Sequence, residues 1–321
     1  MTGFKTQTGV ALITALMVVA IAVMLASSLL DELHLDRQRT YNIINNEQAY
    51  LYGLGAEVIA RAGLRLDRQN NKFDSLNELW AQPTPPYPLE GGHIAAVLED
   101  LQGRFNLNNL SPGLNTNYQQ DLERFRRLLT ALKIDPQLAD AVIDWLDDDL
   151  ITTIPAGAED DYYMGLLIPY RTANGLMSSP SELRAVKGFN EEDTYATIEP
   201  YICTLPVVTS ININTARTEM LQSLNADITA SDAQTIIAYR DGDTEKGIEG
   251  SSFEELDKFK EYMQTTLNKN NFSTDGMTTA TDFFLLTSYA EIGRGKVQLY
   301  SIIQRNDKGD SSIVSRSQGA W

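Results

Sequence analysis

Val10-Ala-Leu-Ile-Thr-Ala-Leu-Met-Val-Val-Ala-Ile-Ala-Val-Met-Leu-Ala-Ser-Ser-Leu-Leu30 is a run of 21 residues without one charged side chain. As a helix rising ~1.5 Å per residue it is about 31 Å long, the thickness of a bilayer's hydrocarbon core. Lys5 is the one charge ahead of it, and Asp31 and Glu32 follow at once. Embedding this run in a membrane leaves the rest of the chain on one side. Three readings of the run are open. A secretory signal has a shorter apolar region, of about 7–15 residues, before a small-residue cleavage site such as Ala26-Ser27-Ser28. An uncleaved anchor is satisfied by length alone. The third reading turns on the residues at the head of the run, Gly9 onward.

Outward from this run, Leu51, Leu54, Val58, Ala62 and Leu66 recur at spacings of three and four. That periodicity predicts one amphipathic face continuing the same helix and packing on a sheet. Gly53, Gly55 and Gly63 lower helicity but allow close backbone approach. Gln82-Pro-Thr-Pro-Pro-Tyr-Pro88 is a surface connection, since each proline fixes φ and lacks a donor. His93–Leu98 and Arg104–Leu107 read as strands around a turn at Gly103, with His93 a strand-start residue. The segments Asp282–Ile292, Lys296–Ile303 and Ser311–Ser315 read as three more strands, the first two joined at Gly293-Arg-Gly295. They are expected to complete the sheet begun near residue 93, making 114–280 an insertion.

That insertion reads as helical. Leu122, Phe125, Leu128, Leu129 and Leu132 mark one face of a helix over 118–133. Asp135-Pro136 is a helix start, and Trp145 on the helix that follows is expected in the core. Ser179-Pro-Ser-Glu182 and Ser252-Phe-Glu-Glu255 have the form of capping boxes. Helices are also expected over 191–198, 219–224 and 231–240, and a loop over 266–280. Asn-x-Asn followed by a helical stretch stands at Asn106-Leu-Asn108 and again at Asn212-Ile-Asn214.

The chain has 321 residues, 43% hydrophobic, and a formal net charge of −17. That charge disfavours a polyanion partner, whose phosphates need clustered Lys and Arg, and suits a domain that holds divalent cations. One cysteine, Cys203, excludes an internal disulfide, and two histidines leave little for His-based catalysis. No nucleophile elbow, zincin, Cys-x-x-Cys or Walker pattern occurs, so the chain is not expected to be an enzyme. Chemistry concentrates at Asp144-Trp-Leu-Asp-Asp-Asp149 and Glu159-Asp-Asp161, seven acidic residues in one short segment. Acids at alternate positions suit Ca²⁺, which takes carboxylate and carbonyl oxygens. The spacing is not an EF-hand, because Leu150 and Thr153 stand where an Asp or Asn and a Gly are required. A solvated acidic loop is the alternative.

Gly9 followed by Val-Ala-Leu-Ile-Thr-Ala-Leu resembles the class III leader of type IV pilins and type II secretion pseudopilins. More specifically, five runs resemble the signature of the pseudopilin K family. They are Glu99–Asn109 with its Gly-Arg-x-Asn-Leu-Asn, Asp144–Asp149 with Gly157–Tyr163, Pro169–Asn174, and Ser181–Gly188. The resemblance covers essentially the whole chain. It implies an α+β fold: a pilin-like N-terminal long helix packed on an antiparallel sheet, with a large all-α insertion of two helical (SAM/helix-hairpin-helix-like) units. The implied division is a leader over 1–9, a transmembrane half-helix over 10–30, the pilin-like helix and first strands over 31–113, helical units over 114–205 and 206–280, and closing strands over 281–321.

The resemblance further implies cleavage after Gly9, methylation at Val10, a single pass in the bacterial inner membrane and a periplasmic head. Most relatives of this kind carry Glu where Thr14 stands here. A carboxylate in the bilayer needs a partner, so its loss suits a subunit with nothing ahead of it, at a filament tip. Expected partners are other minor pseudopilins (I- and J-like), a prepilin peptidase and the inner-membrane secretion platform. Calcium is the implied structural ion, and Asp147, Asp149, Glu159, Asp160 and Asp161 are the favoured ligands. Two alternatives stand. Asn212-Ile-Asn-Thr-Ala216 and the helices after it also resemble helix-hairpin-helix modules of DNA-uptake proteins, though Asn225–Ser231 lacks their glycine turn and basic neighbours. A type IV pilus minor pilin is the nearer alternative.

Overall fold

The computed structural model describes residues 8–82, 85–243, 248–270 and 272–319. Most of the expected leader (1–7) and Pro83-Thr84 of the proline-rich connection lie outside them. One helix, α1 (Thr8–Asn70), runs unbroken for 63 residues. After it come β1 (Tyr87–Leu89) and β2 (Gly92–Asp100), then β3 (Phe105–Asn106), α2 (Tyr118–Ala131), α3 (Ala139–Leu146), the single-turn α4 (Asp160–Tyr163), α5 (Glu192–Ile198) and β4 (Ile202–Cys203). A second unit holds β5 (Ile211–Asn212), α6 (Thr218–Leu224), α7 (Ala230–Asp241), the pair β6 (Gly242–Asp243) and β7 (Ile248–Glu249), α8 (Leu256–Thr265) and β8 (Met277–Thr278). The chain ends in β9 (Phe283–Ile292), β10 (Gly295–Arg305) and β11 (Ser311–Gln318).

Five strands form an antiparallel sheet in the order β1-β2-β9-β10-β11. Gly293, at φ +56, allows the tight turn between β9 and β10. The α1 helix climbs this sheet. Ala49 packs with Ala290, Ile292 and Val297, and Leu64 with Phe284, Leu286 and Ile303.

The face that α1 presents to the sheet is not the periodic one. Leu51, Val58, Ala62 and Leu66 are exposed, while Ala49, Gly53, Ala56, Glu57, Ala60 and Leu64 are buried. Small residues let the helix sit close to the strands, where leucines would hold it away. A Cβ on Gly53 would already stand 3.3 Å from Ser288 Oγ; one on Gly55 or Gly63 would meet nothing, so only Gly53 serves close approach. Buried Glu57 is paired with Arg316 (2.6 Å) and accepts from Ser301 Oγ (2.6 Å). These contacts hold its carboxyl below the usual range although burial alone raises it.

The β2–β3 hairpin expected around Gly103 does not form. Arg104–Leu107 instead enters β3, which pairs in parallel with β4. In the second unit β5 pairs in parallel with β8. Each helical unit is thus opened and closed by a two-residue parallel bridge. The two Asn-x-Asn motifs explain both bridges. Asn108 Oδ1 accepts Met177 N (2.9 Å), and its Nδ2 donates to Met177 O (2.9 Å) and Leu205 O (3.0 Å). Asn214 does the same to Phe253 N (2.9 Å), Phe253 O (2.8 Å) and Thr279 O (3.4 Å). A buried side-chain amide acts in each unit as an extra peptide group in the ladder. The helical core they enclose includes Phe105 stacked on Phe125, with Trp145, Tyr163 and Phe189 buried in the first unit and Phe253 and Phe259 in the second.

Helix ends follow the local signals with one exception. Asp135 accepts from Gln137 N (2.9 Å), and Ser179–Glu182 forms its capping box. Ser252 caps nothing: α8 begins at Leu256 after Glu255, which makes no side-chain cap. Ser252 Oγ instead lies 3.5 Å from Asn77 Nδ2, and Thr229 and Asp232 supply the unit's reciprocal cap on α7.

The head leaves the sheet at the top of β2 and returns at the foot of β9, where Leu101 N donates to Phe283 O (3.0 Å). That edge of the sheet lies beside the C-terminal end of α1. A buried polar joint seals it. Arg305, 1% exposed, clamps Asp74 with two contacts of 2.6 Å, reaches Asp67 (2.9 Å), and donates to Leu64 O and Thr281 O. Asn212 Nδ2 then donates to Asp74 O, Asp100 Oδ2 and Thr281 Oγ1, tying the second helical unit to the same node.

Candidate functional site

Asp140 and Asp144, one turn apart on α3, build the floor of the acidic loop. Both are fully buried. Asp140 accepts Arg126 Nη2 (2.7 Å) and Ala156 N (3.3 Å), and Asp144 accepts Thr153 N (3.1 Å). Lys187 Nζ holds the loop from outside through Ala156 O (3.2 Å) and Gly157 O (3.0 Å). A Cβ on Gly157 would overlap Asp144 and Thr153, so only glycine fits there. The loop is therefore a shaped element fixed at both flanks.

Its rim brings carboxylate oxygens of Asp147, Asp149 and Glu159 within 4.8 Å of one another. That is twice the ~2.4 Å calcium–oxygen distance. Asp160 and Asp161 lie outside this cluster. Asp160 accepts Thr172 N and Oγ1 (3.1 Å each) and faces Arg171 (3.7 Å), while Asp161 is exposed on α4. Three buried oxygens here have no hydrogen-bond partner: Asp147 Oδ1, Glu159 Oε1 and Asn174 Oδ1. Asn174, at φ +46, donates to Asp149 O (3.4 Å), which ties it to the same rim.

Electrostatics agree with the geometry. Burial, then Asp144, Asp147 and Asp149, raise Glu159 to about 7. Burial, then Asp149 and Asp144, raise Asp147 to about 6. Carboxylates crowded in this way with unpartnered oxygens fit a hard cation, and an all-oxygen donor set fits Ca²⁺ rather than zinc. The sequence reading found the three acids but missed Asn174, whose nearest signal was its place in the Pro169–Asn174 run. It also missed Asp140, although the i,i+4 spacing with Asp144 was visible.

In a second acidic group, Asp67, Asp74 and Glu78, the first two are already paired with Arg305, and Glu78 accepts from Asn71 Nδ2, Ser75 N and Trp80 Nε1. In α1, Val10 lies in the first turns and is exposed, as is the whole apolar run behind it. Thr14 Oγ1 donates back to Ala11 O (3.0 Å) and so needs no partner outside its own helix.

A long apolar-ended helix on an antiparallel sheet, with helical units at its far edge, defines a pilin-type architecture, and the apolar end is long enough to be compatible with a single-pass membrane anchor. Comparison with known proteins narrows this class. Two family models described as type II secretion system (T2SS), protein K, match residues 103–207 and 211–280. Type II secretion system protein K of Aeromonas hydrophila is 31% identical over 98% of this chain and 98% of its own length. That of Pseudomonas aeruginosa is 33% identical over 98% and 93%. A chain of the GspK–GspI–GspJ complex from enterotoxigenic Escherichia coli shares the fold, with a TM-score of 0.74 and 24% identity over 88% of this chain and all of that one. This chain belongs to the type II secretion system protein K family, the structural pseudopilins of that export machine.

Proposed function

We propose that this minor pseudopilin caps the tip of the pseudopilus and supports export across the outer membrane, with its head in the periplasm and α1 in the inner membrane. The observation that carries the reading is the placement of the helical head. Asn45 lies against the β9–β10 turn, and Arg65 against Gly309 in the β10–β11 turn. The sheet therefore runs from a membrane-proximal edge near Asn45 to a distal edge near Asn70. Both helical units leave from the distal edge. A mass there leaves no room for a further subunit stacked above it.

The outward stripe of α1 supports the same reading. Leu33, Ile44, Leu51, Val58 and Leu66 stay exposed along one continuous helix. Apolar surface of this length needs partners, and the helices of other minor pseudopilins, I- and J-like, supply them. Thr14 fits a subunit with no neighbour ahead. Calcium held by Asp147, Asp149, Glu159 and Asn174 would brace the loop of the first unit. The DNA-uptake alternative loses support at its own hairpin, where Lys269 is bound to Asp232 (3.0 Å) and Asp227 O (2.6 Å).

The test is the amino-terminal sequence after co-expression with a prepilin peptidase and I- and J-like subunits. A start at Val10, methylated, in material that co-purifies with both subunits is expected. A start at Met1, or near Leu29, would overturn the filament role.

A further inference from the structure

The loops that spring from the carboxylate cluster expose large apolar side chains. Among the described residues of the two helical units, eleven large hydrophobic residues are exposed, and eight of them fall between 150 and 176. Leu167 is 100% exposed, Ile154 88%, Ile168 78% and Ile151 76%. Leu150 and Met164 are also exposed. Asp140, Asp144 and Lys187 hold the base of this loop at Thr153, Ala156 and Gly157. Apolar surface held out on a shaped loop marks an interaction site.

Charge selects the occupant. From Asp147 to Ile168 the chain carries six acids and no Lys or Arg. Asp148, Asp149 and Asp161 are exposed among the apolar residues. One divalent ion in the cluster still leaves this face negative. Anionic lipid is therefore repelled, and so is the same face of a second copy. A polypeptide segment whose apolar residues are flanked by Lys or Arg would satisfy both features.

We infer that the face formed by residues 150–154 and 164–168 docks a basic amphipathic segment of another protein at the membrane-distal end of the head. The docking is separate from the contacts α1 makes within a filament. Leu167 and Ile168 would enter apolar sites on the partner, and Asp148 and Asp161 would meet its basic side chains.

The experiment places a photo-reactive benzoyl-phenylalanine at Leu167, or at exposed Thr130 as control, in the full chain in cells with a working secretion system. Cross-linked peptides are then sequenced. The expected product is a heterologous peptide that is apolar with net positive charge, formed from Leu167 and not from Thr130. Asp148→Lys with Asp161→Lys is expected to cut its yield about tenfold, and Leu150→Ser with Ile151→Ser by a similar factor. Unchanged co-purification with I- and J-like subunits in those variants separates this result from failure of the filament role. Cross-links to lipid, to a second copy or to an acidic peptide would overturn the inference, as would none or a yield indifferent to the lysines.

Discussion

Replacing Glu159 by Gln is expected to move stability in opposite directions with and without calcium. Glu159 is 4% exposed, and its carboxyl is raised from 4.5 to about 7. The difference, 7 − 4.5, is about 2.5 pH units, or ~3 kcal/mol at ~1.36 kcal/mol per unit. The folded ion-free chain holds this proton to higher pH than the unfolded chain does. Its stability is therefore full below 4.5, falls as pH rises towards 7, and stays low above it. Gln carries no charge and escapes the penalty, so at pH 8 with a chelator Glu159→Gln gains up to ~3 kcal/mol, or about 6–10 °C in Tm. With calcium the order reverses. Wild type gains about 4.1 kcal/mol at calcium a thousandfold above Kd, more than the ~3 kcal/mol penalty, while the variant has lost a ligand. The assay is thermal unfolding of the full chain in detergent at pH 5 and pH 8, with EGTA or calcium. The calcium shift of wild type is larger at pH 8, because protons compete for Glu159 and Asp147 at pH 5. A wild-type Tm indifferent to calcium, or a variant that keeps the shift, would refute the assignment.

Arg305→Met removes the two-contact partner of buried Asp74, leaving it Arg68 at 3.9 Å and the Thr281 N–H, and should cost about 3–5 kcal/mol in urea unfolding, with Asp74→Asn restoring part of it. Asn108→Ala and Asn214→Ala each remove a two-way amide clamp and should each cost about 2–3 kcal/mol; a loss below 0.5 kcal/mol in either would deny the parallel between the units. Gly53→Val forces a branched side chain against Ser288 and Leu299 and should cost about 1–3 kcal/mol, while Gly55→Ala should be neutral or better. Cys203 is fully buried, its thiol pushed up to about 12, so it should resist maleimide in the native chain and react only on unfolding.

Much of this molecule was legible from residue order because its signals are local. An uncharged run long enough for a bilayer, strands bounded by glycine turns and the Asp135-Pro136 cap each act within a few positions. The errors share one cause, which is that burial is decided by a distant surface. Leu51, Val58 and Leu66 have the right period for a core face, yet the sheet takes the alanine and glycine face beside them. Arg104–Leu107 looks like the second arm of a hairpin, yet its partner is Ile202-Cys203, far along the chain. The proposed cation site shows the same division. Asp147, Asp149 and Glu159 announce themselves by type, whereas Asn174 joins them only through the loop's closure.

The head departs and returns at adjacent backbone positions, Leu101 and Phe283. To the five-stranded body, everything between them is one long excursion bridging a gap that a short turn could span. Changes in the helical units therefore need not shift strand register, nor the angle at which α1 meets the sheet. The surface of the α1–sheet body and that of the helical units are therefore free to diverge at different rates, with the Arg305 node as the joint between them.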